Sequence, residues 1–183
     1  MLEILRNKHL LLDTNVLISA GKHVELWDDL FKFLLREFEV EFLIDWSVKF
    51  EFLRSSRTRE DSLKKGELLD LFVGEDRYEL NIDASVIEDA IKLSNLYARK
   101  NPHLTKQVSF TDCLLAAQAK KFCSQKGENQ LFILSMDLFD FPLCVFDRIK
   151  VFTMDADSEV LNIGLFSFNQ EKYKKLRRAF ERI

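Results

Sequence analysis

The sequence predicts an α/β fold built on a mainly parallel central sheet. Three observations carry this expectation. Short runs rich in Leu, Ile, Val and Phe, at Leu10–Leu12, Val40–Ile44, Leu131–Met136 and Ile149–Thr153, have the composition of parallel strands covered on both faces. Segments with helical periodicity lie between them. Proline (two residues) and glycine (five) are scarce, and no linker or repeat interrupts the chain, so one domain is expected over residues 1–183.

The elements follow in order. Leu10–Leu12 form a strand that runs directly into Asp13, Thr14 and Asn15, and a second apolar run begins there. Trp27, Leu30, Phe31, Leu34, Leu35 and Phe38 mark one face of a helix, a stripe that Leu26 and Phe33 widen. Most of this stripe suits a core, and its breadth also suits a dimer contact or a partner segment. After "VEFLI" the chain turns through Asp45 and Ser47 into the helix "SVKFEFLR". Val86, Ala90, Leu93 and Tyr97 mark another helix, and "TDCLLAAQAKKF" a third, with small alanines for close packing. Beyond Thr153, "EVLNIGLFSFN" is expected to pair at a sheet edge, and the chain closes on the basic helix "EKYKKLRRAFERI".

Composition narrows the function classes. A net charge of −3 does not attract a polyanion in bulk, so a nucleic-acid partner needs a local basic patch. Cys113, Cys123 and Cys144 are odd in number and lack metal-ligand spacing, which suits free thiols in a reducing compartment. The start "MLEILRNKH" is unlike a signal peptide, and no run is long enough to span a membrane. A cytoplasmic protein is the expectation. His9, His23 and His103 show neither triad nor metal spacing.

Acids gather where such folds hold their sites. In open α/β sheets, ligands bind beyond the carboxyl ends of the strands. Asp13 stands at that end of the first strand and Asp137 at that end of "LFILSMD", with Asp140 three residues on. Glu51 and Asp112 arrive from helices that start nearby. Each acid also has a local explanation: Asp13 and Asp137 as caps or turns, Glu51 as an exposed helical acid, and Asp112 as half of a capping box with Ser109. Together, four carboxylates repel one another unless cations neutralise them, and oxygen ligands without His or Cys favour Mg²⁺ or Mn²⁺ over zinc. Such a cation promotes attack of water on a phosphodiester.

This constellation resembles the PIN-domain nucleases. The apolar strand with D-T/S-N is similar to "LLLDTNVLI", the second acidic motif to "WSVKFEFL", the third to "SFTDCLLAA" and the fourth to "LSMDLFDF". The resemblance implies a three-layer α/β/α sandwich and metal-dependent RNA cleavage, with Asp13, Glu51, Asp112 and Asp137 as catalytic and metal-binding residues. Asn15, Ser135 and Asp140 would support them. It also implies VapC-like ribonucleases, toxins held inactive by small antitoxins. Residues 159–183, read as an edge strand plus basic helix, extend beyond the smallest members. Arg54, Arg57 and Arg59 follow the Glu51 helix and are the expected contacts to the RNA backbone. A second basic cluster, Lys172, Lys174, Lys175, Arg177 and Arg178, lies in the tail.

Other chemistries fit less well. A haloacid-dehalogenase phosphatase needs an acid where Asn15 stands, and no glycine loop cradles phosphate. A non-enzymatic PIN-like module that binds RNA or protein is the main alternative.

Overall fold

The structure is a computed structural model that describes residues 2–73, 78–100, 108–156 and 159–181. The strands are His9–Leu12 (β1), Glu41–Asp45 (β2), Tyr78–Leu80 (β3), Leu131–Ser135 (β4), Phe146–Ala156 (β5) and Glu159–Phe168 (β6). The helices are Thr14–Lys22 (α1), Val24–Phe38 (α2), Trp46–Arg54 (α3), Arg59–Val73 (α4), Ala84–Lys100 (α5), Phe110–Lys126 (α6) and Gln170–Phe180 (α7). His103 lies outside the described residues.

The fold is α/β with a mixed sheet, in the order β3-β2-β1-β4-β6-β5 among the described residues. β1, β2, β3 and β4 run parallel, and β6 pairs antiparallel with both β4 and β5. Two expectations are corrected here. The run Ile149–Thr153 belongs to β5, an antiparallel edge strand, and the segment from Glu159 forms an interior strand between β4 and β5. Burial explains the exchange. β5 alternates between partly covered and exposed positions, whereas Leu161, Ile163, Leu165, Phe166 and Phe168 of β6 are all buried.

Three elements lie outside the sequence expectation. α1 follows β1 without a loop, α4 buries only Leu69 and Phe72, and β3 has three residues. The periodicity of α2 holds in part: Trp27, Phe31, Leu34 and Phe38 are buried, while Phe33 and Leu35 face outward. Val86, Ala90, Leu93 and Tyr97 of α5 are buried as the spacing predicts.

Phenylalanines fill the core in two contact chains. Trp27, Phe31, Phe42 and Phe72 touch ring to ring at centroid separations of 4.7–5.4 Å. Phe141, Phe146, Phe166, Phe168 and Tyr173 do so at 5.3–5.7 Å. Offset and edge contacts of this kind add to the hydrophobic gain from burial.

Local chemistry sets the helix starts at one pole of the sheet. Asp13 caps α1 by accepting from Thr14 N, and Asp45 caps α3 by accepting from Ser47 N. Ser109 and Asp112 form a reciprocal capping box at α6. No helix among the described residues is long and apolar enough to cross a membrane.

Candidate active site

The chain reverses its direction of winding between β1 and β4. After β1 it adds β2 and β3 on one side, then returns to place β4 on the other. Such a reversal opens a crevice beyond the carboxyl ends of the strands. Leu12 pairs with Leu134, and Asp13 N donates to Leu134 O, so Asp13 emerges beside Ser135 at this crevice.

Asp13 is buried, with both carboxylate oxygens engaged. Oδ1 accepts from Thr14 N at 2.6 Å. Oδ2 accepts from the Ser135 hydroxyl at 2.6 Å and from Asn15 Nδ2 at 2.8 Å. Asn15 also donates to Ser135 Oγ, and its Oδ1 accepts from Met136 N at 2.9 Å. Asn15 and Ser135 thus fasten the start of α1 to the end of β4.

Glu51 is held by two hydroxyls from different helices. Thr14 Oγ1 donates to Oε2 at 2.9 Å, and Thr111 Oγ1 donates to Oε1 at 2.7 Å. α1, α3 and α6 therefore meet at one carboxylate. The expectations from sequence do not include Thr14 and Thr111. Their signal was adjacency alone: Thr14 follows Asp13, and Thr111 precedes Asp112.

The acids interact electrostatically across these elements. Burial pushes Asp13 up to about 6, with the nearby charge of Asp140 adding to it, while Ser135, Thr14 and Asn15 oppose the rise. Burial also pushes Asp112 up to about 6, and the charges of Asp13 and Glu51 add to it against the Ser109 hydrogen bonds. Asp13, Glu51 and Asp112 form no ion pair with Lys or Arg among the described residues.

Asp137 joins this group through its backbone. Its N–H donates to Ser135 Oγ at 3.0 Å, while its Oδ1 accepts from Phe139 N at 2.8 Å within its own turn. Asp45 is fully buried and structural in its contacts, accepting from Ser47 and from Gln118 Nε2 at 2.7 Å. Arg54 ends α3, Arg57 lies in the turn and Arg59 opens α4, all exposed. The basic residues of α7 lie elsewhere: β6 runs antiparallel to β4, so α7 begins at the opposite pole of the sheet.

Among the described residues, no three His, Cys, Asp or Glu side chains form a ready-made metal-ligand group. The donor chemistry nevertheless suits a hard cation: Asp13 and Asp112 are buried carboxylates, repelled by neighbouring acids and without an ion pair to Lys or Arg among the described residues. Mg²⁺ commonly takes only one or two carboxylates and fills its remaining positions with water and substrate phosphate. Compared with protein-family models, with curated proteins and with solved structures, the chain has no match in any of the three, so what this site can do follows from its own side chains.

Proposed function

We propose that the chain is a divalent-cation-dependent endoribonuclease with a PIN-like three-layer α/β/α domain. The observation that supports this most is the burial of Asp13 and Asp112, each raised to about 6, in one electrostatic group with Glu51 and without a basic partner among the described residues. Ionising such a group near neutral pH costs free energy that a bound cation offsets.

In this reading Asp13, Glu51, Asp112 and Asp137 attract and organise Mg²⁺ or Mn²⁺. When bound, the cation supplies positive charge against phosphodiester oxygens and makes water easier to deprotonate. The chain's own groups position the acids. Ser135 and Asn15 orient Asp13, Thr14 and Thr111 orient Glu51, and Asp140 adds negative charge beside Asp13. Arg54, Arg57 and Arg59 guide the RNA backbone past α3. A small antitoxin and a homodimer are the partners this reading carries.

The test is cleavage of single-stranded RNA. Mg²⁺ or Mn²⁺ supports it, EDTA abolishes it, and Asp13→Asn or Asp112→Asn removes it while circular dichroism stays native. RNA binding without cleavage in every cation overturns the proposal. That result favours a catalytically inactive PIN-like binding module, a reading that draws on the internal hydrogen bonds already occupying both oxygens of Asp13 and Glu51.

A further inference from the structure

Exposed aromatic rings are concentrated at the pole that holds the acids. Among the described residues, five Phe or Trp side chains are exposed, and four of them, Trp46, Phe50, Phe110 and Phe139, lie next to or two residues from an acid of that pole. Exposed aliphatic side chains, by contrast, are scattered over the N-terminal turn (Ile4), α1, α2, α4, α5, the β4–β5 connection (Leu143) and the β5–β6 hairpin. Single exposed apolar groups are ordinary, so the informative feature is the segregation of rings.

The fold explains how they come together. Trp46 opens α3 directly after Asp45, and Phe50 and Arg54 follow at four-residue intervals, forming one exposed stripe. Phe110 opens α6 one residue before Thr111, whose hydroxyl reaches Glu51 on α3. Phe139 donates its backbone N–H to Asp137 beyond β4. These residues are 45% (Trp46), 63% (Phe50), 63% (Phe110) and 84% (Phe139) exposed, so each leaves a large part of its surface open to solvent. A cation accompanies each of two of them: exposed Arg54 Cζ lies 5.8 Å from the Phe50 ring centroid, and Lys49 Nζ lies 4.6 Å from that of Trp46 but is paired with Glu79.

We propose that Trp46, Phe50, Phe110 and Phe139 form a base-stacking rim that selects single-stranded nucleic acid over duplex, with Arg54 meeting its phosphates. The identification of the polymer as RNA rests on the nuclease reading. Aromatic faces bordered by the Arg54 guanidinium suit unpaired bases on a charged backbone, because every base offers a π-face and stacking tolerates sequence. A duplex keeps those faces inside its own stack. A purely apolar protein contact gains nothing from the interleaved charges, which it must desolvate.

The experiment measures binding in Ca²⁺ by fluorescence anisotropy, using a labelled single-stranded oligoribonucleotide of mixed sequence and the duplex of the same sequence. The wild-type chain is expected to bind the single strand about 10-fold or more tightly than the duplex. Each of Phe50→Ala, Phe110→Ala and Phe139→Ala weakens single-strand binding by roughly 5- to 100-fold, the range for loss of one stacked base. Phe→Tyr at the same positions restores binding, and Phe→Leu does not. Trp46 emission falls on binding, a signal separable from Trp27 because Trp27 is buried. Alanine variants that bind like the wild type overturn the rim, as do leucine variants that do so. A triple alanine variant that changes only the oligomeric state in light scattering also overturns it. A chain that cleaves RNA but shows no aromatic dependence loses the rim alone. One that shows the aromatic dependence but never cleaves loses the nuclease reading alone.

Discussion

The Ser135 hydroxyl donates to Asp13 Oδ2 across 2.6 Å and so ties the residue after β1 to the last residue of β4. Ser135 Oγ in turn accepts from Asp137 N at 3.0 Å and from Asn15 Nδ2 at 3.1 Å. One buried side chain therefore sets the relation between two segments distant in sequence, 13–15 and 135–137.

Replacing Ser135 with Ala leaves Asp13 without its main opposing hydrogen bond. The Asp13 carboxyl is then expected to rise further above its ordinary range, since burial still disfavours its charge. The rising limb of the pH–rate profile for RNA cleavage should move to higher pH. Stability should fall by about 1–3 kcal/mol, read from urea unfolding, because two donors lose their acceptor.

Stability itself should depend on pH through the buried acids. Asp13 and Asp112 rise from 3.8 to about 6 on folding. The folded chain thus holds their protons more tightly than the unfolded chain. Their contribution to stability is fully present below about pH 4 and is lost as pH rises through about 6, on the order of 2–3 kcal/mol for each. Urea melts in EDTA should show this decline, and the double variant Asp13→Asn, Asp112→Asn should flatten it. In wild type, Mn²⁺ should raise the melting temperature at pH 7 and lose that effect near pH 4, where the carboxyls are protonated.

Thr111→Val keeps the shape of the side chain and removes its donor to Glu51 Oε1. Cleavage is expected to fall about 10-fold through misplacement of Glu51, in line with the loss of a supporting hydrogen bond around a metal ligand. Thr111→Ser, which keeps the hydroxyl, should restore it. Equal activity in the valine variant would show that Thr14 alone suffices.

Gly164 links the sheet to the turn that bears Asp137 and Asp140. It pairs with Ser135, and a Cβ there would come within 2.6 Å of Phe166 Cε2 and 2.8 Å of Leu138 Cδ2. Gly164→Ala is therefore expected to cost about 1–3 kcal/mol through overpacking. Displacement of Leu138 should also lower cleavage, so thermal melts and rate assays should move together.

Much of the architecture was legible because its signals are local. The apolar runs of β1, β2 and β4 and the spacing of Val86, Ala90, Leu93 and Tyr97 report their own burial. The order of β5 and β6 was not legible. Both are apolar enough for strands, and only docking against β4 decides which lies inside. α4 was missed because its sequence "REDSLKKGELLDLFV" buries only Leu69 and Phe72, too few to mark a face. Asp13, Asp112 and Asp137 could be picked out as candidates from their strand-end and helix-start positions, and Glu51 from its place in the helix that follows β2. The threonines that hold Glu51 could not, since hydrogen bonds across 37 and 60 residues of chain leave no local pattern.

By itself the sequence determined that β1, β2, β4, β5 and β6 become strands and that α2, α3, α5, α6 and α7 become helices, and it placed Asp13, Asp112 and Asp137 at element ends, since periodicity and capping chemistry act over a few residues. Only the tertiary structure decided that the winding reverses between β1 and β4, that Asp13 meets Ser135, and that Thr14 and Thr111 converge on Glu51. Those relations depend on packing between elements far apart in the chain, where the burial of apolar surface, rather than any local preference, selects the partner.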